Sequence, residues 1–378
     1  MTGQPYISVI VTAYNRRRYL PFALRSLEAQ TLPRDRFEVI VVKNFEDKES
    51  DDIISRNGWK DIYEDSTYHG KMVLAGLEES RGEVITFLDD DDMYVNNRLE
   101  EVYKAFKAYD RLVYFHNSQI IIDSNGNVLE RLPRSKNLVR GSPIVIDVDK
   151  LQMLAKKYGM STVDITFKIR IGASFNNSSV AVRRHVVESH AQLLKRLPAG
   201  IDNFMFVSSL KAGGLVYFTD ERLTLYRVHG ENWTYYAWSY YAYAAKGEIN
   251  NEMYLRKVSA HLQSINACRL MCSRLLDDDV NQYLCFERLS KGALLLLLQP
   301  ELGTLPPELR LSLSDIKLAL RCYKVEDISL ANAALLIGLA SLSPLLASPR
   351  GRLVIGKIIE SVVEALSTKR ALRRGSLV

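Results

Sequence analysis

Residues 83–94 read EVITFLDDDDMY, an apolar, β-prone run that ends in four consecutive carboxylates, Asp89, Asp90, Asp91 and Asp92. Four adjacent like charges repel, so a fold that holds them at a strand end needs a compensating cation. A hard, oxygen-preferring divalent ion such as Mn2+ or Mg2+, itself carrying phosphates, meets that need. A solvated acidic loop is the competing reading.

The elements that must position this cluster are legible around it. Ile7–Thr12, Phe37–Val42 and Glu83–Leu88 are short, β-branched and almost wholly apolar, as strands are when helices cover both sheet faces. Between them, Tyr19–Ala29 carries Leu20, Ala23, Leu24 and Leu27 on one helical face, and Met72–Glu79 carries Val73, Leu74 and Leu77. This alternation is that of an α/β sheet with crossover helices. In such sheets ligands bind beyond the carboxyl ends of the strands, where the strand order reverses. Three strand ends should therefore converge: Thr12-Ala13-Tyr14-Asn15, Lys43-Asn44 and Asp89–Asp92. A polar loop with an aromatic for stacking, an amide for reading a base and a carboxylate cluster suit a nucleoside diphosphate held through a metal. Tyr14 and Asn44 as ordinary turn residues stay open beside that reading.

Composition bounds the rest. With 378 residues, 47% hydrophobic and 25% charged, the chain reads as globular with two domains. The formal net charge is +6, but residues 1–235 hold 32 basic against 31 acidic side chains, and residues 236–378 hold 18 against 13. A nucleic-acid partner, which needs basic residues gathered on one face, is not expected. Met1–Tyr6 is polar and Ile7–Val11 is too short for an export signal, so a cytoplasmic location is expected. Cys268, Cys272, Cys285 and Cys322 lack the paired spacing of zinc or redox sites and read as reduced, buried thiols.

Four blocks in order, SVIVTAYNRRRYLPFALRSLEAQ, FEVIVVKN, GKMVLAGLEESRG and EVITFLDDDD, resemble the nucleotide-sugar half of family 2 glycosyltransferases. Further on, PAGIDNFMFVSSLKAGGLVYFTDERLTLYRVHGENWT resembles that family's second signature, an acidic helix followed by Tyr-Arg-x-His. The resemblance spans residues 6–234. It implies a GT-A-type fold and metal-dependent, inverting transfer of a sugar from a nucleoside-diphosphate sugar to a hydroxyl. It puts Asp202 at the general base, Asp91 at the directly coordinating carboxylate and His229 at a further metal ligand. Asp89 falls nearer the ribose or a metal-bound water, Asp90 belongs to the same nucleotide-binding run, and Thr12, Tyr14 and Asn15 match the nucleoside cradle. Lys71 reaches the phosphates or is a solvated lysine at a helix start. Two positions depart from the family: Lys43-Asn44 replaces an acidic strand end, leaving Asn44 to recognise the base by its amide, and Ile201 replaces the Glu before Asp202. Without the resemblance, Asp202 reads as a helix N-cap and His229 as a surface histidine.

Residues 112–200 are expected to recognise the acceptor, a glycan or a lipid-linked saccharide. Within them Asp123–Asn127 reads as a tight reversal with positive φ at Asn125-Gly126. Phe175–Val182 reads as a strand, with Arg183 and Arg184 either meeting a phosphorylated acceptor or solvated. A GT-A-type domain of mixed, mainly parallel sheet and flanking helices over 1–235 and a helical domain over 236–378 are expected. Residues 235–243 are rich in tyrosine, which suits packing between domains. The uncharged run Ile328–Pro349 reads as a buried helical hairpin rather than a span. Leu353–Arg374, apolar on one side and ending in Lys369, Arg370, Arg373 and Arg374, closes the domain or lies on anionic lipid as a peripheral contact. The competing functional class is a carbohydrate-binding or scaffolding protein that keeps the fold without turnover. A sugar nucleotidyltransferase is disfavoured because TAYNRRR contains no glycine for a phosphate loop.

Overall fold

The computed structural model describes residues 4–129, 142–158, 162–170 and 172–229, with a few isolated positions beyond. The four cysteines, the tyrosine-rich stretch and the C-terminal segments discussed above lie outside the described residues. By Cα proximity, residues 1–253 and 267–277 group as one unit and the remainder as a second. No described helix is long and apolar enough to cross a membrane.

In chain order the described elements are β1 (Ile7–Ala13), α1 (Leu20–Glu28), β2 (Phe37–Lys43), α2 (Lys48–Asn57), β3 (Lys60–Tyr63), α3 (His69–Glu79), β4 (Val84–Asp89), β5 (Met93–Tyr94), α4 (Arg98–Ala108), β6 (Leu112–Ile122), β7 (Ile144–Asp147), α5 (Val148–Tyr158), α6 (Thr162–Ile169), β8 (Val180–Arg183), α7 (Arg184–Glu188), α8 (Ala191–Leu194), α9 (Ile201–Ala212) and β9 (Leu215–Arg227). One nine-stranded sheet runs β3-β2-β1-β4-β8-β6-β9-β5, with β7 added on β9. It is parallel through β3-β2-β1-β4. Beyond β4 it is mixed: β8 is antiparallel to both β4 and β6, β6 and β9 run parallel, and β5 and β7 are antiparallel to β9.

The strand order reverses between β1 and β4, so the crevice for a ligand opens beside Thr12 and Asp89, which are paired across the sheet. Both strands are buried along almost their whole length because helices cover both faces. Ile7, Val9 and Val11 join Leu20, Leu24 and Leu27 of α1 and Leu99, Val102 and Phe106 of α4 in one core. On the other face α3 lies against Ile10 and Val42 at Gly76. Arg98 of α4 is fully buried, donates to Asn117 Oδ1 (3.1 Å) and Thr86 Oγ1 (2.9 Å), and stacks over Tyr94 with 3.9 Å to the ring centre. It thereby ties α4 to β4 and β6 behind the carboxylate cluster.

Several expectations need correction. The 123–127 reversal forms, with Asp123 N–H donating to Asn127 O at 2.9 Å and an Ile122–Val128 bridge, but only Gly126 takes positive φ (+90°). The strand expected over 175–182 begins at Val180, because the preceding polar residues spend their side chains on the carboxylate cluster. Arg183 and Arg184 sit at the opposite end of β4, where Arg183 pairs with Glu83 (3.3 Å) and Arg184 donates to Gly82 O (2.7 Å). They hold strand ends together, away from the carboxylates.

Candidate functional site

Four carboxylates at the end of β4 take different sets of partners. Asp89 stays at the rim with about a quarter of its side chain exposed. Asp90 has no exposure and is gripped by Arg16, whose Nε donates to Oδ2 at 3.1 Å and whose Nη2 donates to Oδ1. Asp90 is thus sealed beneath a guanidinium. Asp91 Oδ2 accepts from Arg16 Nη1 at 2.6 Å and lies 3.0 Å from His229 Nε2. Asp92 is buried and accepts from Asn176 Nδ2 (2.9 Å), Ser178 Oγ (2.7 Å) and the Arg227 backbone N–H (3.0 Å).

The compensating cation that four like charges demand is thus supplied in part by Arg16. It follows Asn15, which takes a left-handed φ of +57° and turns the chain back over the strand ends. Burial opposes a charge on Arg16, but Asp90 and Asp91 outweigh it and hold the guanidinium firmly protonated. Burial alone would raise Asp91; Arg16 and His229 reverse that and hold it below the usual carboxylate range. Asp92 is pushed well up by burial and by the charges of Asp91 and Asp89.

His229 lies just beyond β9, 5% exposed, with its ring 4.7 Å from that of Tyr19. Beside it, Arg227 donates from Nε to the Asp91 carbonyl at 2.9 Å and stacks on the same tyrosine. The contact across 138 residues places His229 and Asp91 together at the switch point. Thr12 and Asp89 meet a further residue, His69 at the start of α3: its Nε2 is 3.0 Å from Thr12 Oγ1 and 3.8 Å from Asp89 Oδ1.

The loops expected to cradle a nucleoside follow β1 and β2. Tyr14 is half-buried. Asn15 and Asn44 hold one another, with Asn15 N–H donating to Asn44 Oδ1 (2.8 Å) and Asn44 Nδ2 to Asn15 Oδ1 (2.9 Å). Lys43, buried, pairs with Asp61 (2.8 Å) and Asp51 (3.1 Å) and so is turned away from the strand end. Lys71 lies over the ring of Tyr68, 5.8 Å from its centre, and Tyr68 is itself 44% exposed.

Asp202 is in the first turn of α9, not its cap. Gly200, at φ +76°, takes the cap position, and Asp202 Oδ1 accepts from the Asn203 N–H at 2.8 Å. Two bridges connect this turn to the crevice. Gly70 N–H donates to Leu197 O (3.0 Å) and His69 N–H to Pro198 O (3.4 Å), joining the start of α3 to the segment that leads into α9. Ser174 Oγ donates to Asn203 Oδ1 (2.7 Å), while three residues on Asn177 Nδ2 donates to Asp89 Oδ1 (3.1 Å), and Ser178 Oγ accepts from Asp89 N–H (3.0 Å). The charge of Asp202 also reaches the Tyr114 hydroxyl, which burial first and Asp202 second push well above the ordinary phenol range.

Arg16, His69 and Asn176-Asn177-Ser178 were not identified from sequence. The available signals were a cation directly after the first strand loop, a histidine before Gly70-Lys71, and a polar NNSS run before β8.

Residues 8–175 match the family model described as Glycosyl transferase family 2. Over that stretch the chain is similar to family 2 glycosyltransferases. Among curated relatives, an uncharacterized glycosyltransferase of Nostoc sp. strain PCC 7120 is 30% identical over 131 residues, 33% of this chain and 40% of that protein. The poly(ribitol-phosphate) beta-N-acetylglucosaminyltransferase TarS of Staphylococcus aureus is 31% identical over 121 residues, 30% of this chain and 20% of TarS. The chain spans 40% and 56% of the first two curated relatives it matches. Among solved structures, a TarS fragment in complex with UDP-GlcNAc aligns over 92% of this chain and 88% of that one, with a TM-score of 0.46 and 14% identity. A mannosyltransferase from Pyrobaculum calidifontis in complex with GDP-Man and Mn2+ aligns over 94% and 88%, with a TM-score of 0.46 and 15% identity.

Proposed function

We propose that this chain moves a sugar from a nucleoside-diphosphate sugar to a hydroxyl acceptor, a glycan or a lipid-linked saccharide, with inversion and with Asp202 as base. The observation that carries the reading is the meeting of Asp91 and His229 at 3.0 Å beside Thr12, where the sheet order reverses.

The donor set suits a hard divalent ion. Carboxylate and imidazole converge from separate elements, and Arg16 neutralises one negative charge of the four in the cluster, leaving it acidic. Among the described residues no three His, Cys, Asp or Glu side chains form a complete cage. An Mn2+ or Mg2+ ion here would share its coordination among one carboxylate, an imidazole and the substrate's own phosphates. Asp91 and His229 would hold the ion, which supplies charge stabilisation to the departing diphosphate. Thr12, Tyr14, Asn15 and Asn44 hold the nucleoside at the adjoining loops, with Lys71 and Asp89 toward the phosphates and ribose.

Asp202 takes the acceptor's proton as the hydroxyl attacks the anomeric carbon. The C–O bond to the diphosphate breaks as the new glycosidic bond forms, and the electron pair leaves with the nucleoside diphosphate. Attack opposite the leaving group inverts the centre. A lipid-linked acceptor would suit a peripheral contact of residues 353–374 with the cytoplasmic membrane face, and a helical domain over 236–378 belongs to the same proposal.

Thermal-shift titration with UDP, GDP, ADP and CDP, each with Mn2+ or with a chelator, tests the reading. One base is expected to raise Tm, and only with metal present. Silence to all four nucleotides would favour a scaffold without turnover.

A further inference from the structure

Arg16 grips its two carboxylates unequally. Nε and Nη2 both reach Asp90, whereas Nη1 alone reaches Asp91. Asp90 is wholly buried, and Arg16 is the only side-chain partner of its carboxylate among the described residues. The bidentate pair is therefore the fixed half of the arrangement and the contact with Asp91 the exchangeable half. The guanidinium is also within reach of a ligand: the Arg16 side chain is 27% exposed, and two of its five N–H groups remain beyond the three used on Asp90 and Asp91.

The oxygen that Arg16 holds on Asp91 is the one that His229 faces. Oδ2 takes Nη1 at 2.6 Å and lies 3.0 Å from Nε2. A guanidinium and a divalent ion on one carboxylate oxygen are close like charges that repel strongly.

We propose that Arg16 is a resident counter-cation for Asp91: it releases Asp91 when a divalent ion binds there, stays anchored on Asp90, and turns its freed N–H groups to the donor diphosphate. This rests on the metal-assisted reading above. Arg16 would then offset part of the cluster's charge when empty and add a second positive charge beside the leaving group when loaded.

Titration of free Mn2+ by its EPR signal, without nucleotide, tests the exchange in wild type, Arg16→Gln and Arg16→Lys. Removing the competing charge is expected to tighten Mn2+ binding in Arg16→Gln by about tenfold, with Arg16→Lys in between. At saturating Mn2+, the same Arg16→Gln is expected to bind the nucleoside diphosphate several-fold more weakly. Arg16→Lys retains a charge for the buried Asp90 and keeps the test interpretable should the glutamine variant unfold. Wild type that binds Mn2+ with no gain in either variant overturns the exchange and leaves the metal-assisted reading standing. If no form binds Mn2+ while nucleotide still binds in chelator, both are overturned.

Discussion

Asp202→Asn is expected to cut transfer by about 10²- to 10⁴-fold while leaving donor affinity and Tm close to wild type. The amide is nearly isosteric with the carboxylate and its oxygen can still accept the Asn203 N–H, so the first turn of α9 keeps its local hydrogen bond. What it cannot do is take a proton from the acceptor hydroxyl. Single-turnover transfer at saturating donor, alongside calorimetric binding of the nucleoside diphosphate, separates the two effects. Turnover within a few-fold of wild type would show Asp202 to be a helix-turn residue. A fall in donor affinity equal to the fall in rate would place it among the binding groups.

Gly70→Ala is expected to destabilise the fold by about 3 kcal/mol or more, one of the larger effects a single methyl group can have. A Cβ built at Gly70 lies far inside van der Waals contact distance of the Leu194 carbonyl oxygen, 2.9 Å from its carbon and 3.0 Å from Leu197 O. These are backbone atoms of the segment that leads into α9, so no side chain can swing aside. Relief requires the start of α3 to lift away, breaking the Gly70–Leu197 hydrogen bond and withdrawing His69 from Thr12. Gly76→Ala in the same helix provides a comparison, since its nearest obstacle is the Ile10 side chain at 2.5 Å; overpacking there should cost about 1–3 kcal/mol. Urea unfolding of both variants measures the difference, and a Gly70→Ala loss below that of Gly76→Ala would refute the backbone contact.

The legible part of the fold was the part whose side chains answer to a single demand. β1, β2 and β4 are buried on both faces, so their sequences are continuous apolar runs that periodicity finds to within one residue. β3 escaped because it is a four-residue edge strand, KDIY, half-exposed, with no apolar run to announce it. Phe175–Ser179 misled because its composition suits a strand while its hydrogen bonds go to Asp89 and Asp92, far away in sequence.

The candidate site divides in the same way. Four aspartates in a row were visible as a charge problem, but what each one does depends on partners 74–138 residues away. Nothing local distinguishes Asp90, locked under Arg16, from Asp91, shared with His229. Nothing local distinguishes Arg16 from its neighbours either: Arg17 stacks on Phe45 and Arg18 on Tyr19, and only Arg16 is turned back by the left-handed Asn15. Asp202 and His229 stood out only through a family resemblance, since by residue type alone a cap and a surface histidine were the favoured readings. The helix cap in fact fell to Gly200, which left the Asp202 side chain to the first turn.

A crystal soaked with Mn2+ and the nucleoside diphosphate that raises Tm most, measured at the manganese absorption edge, is the most direct test of the proposed centre. The expected map has one anomalous peak ligated by Asp91 and His229, with the diphosphate on the ion and the nucleoside along Thr12–Asn15. A nucleotide bound there with no peak at Asp91, or a peak and nucleotide lodged elsewhere on the chain, would contradict it.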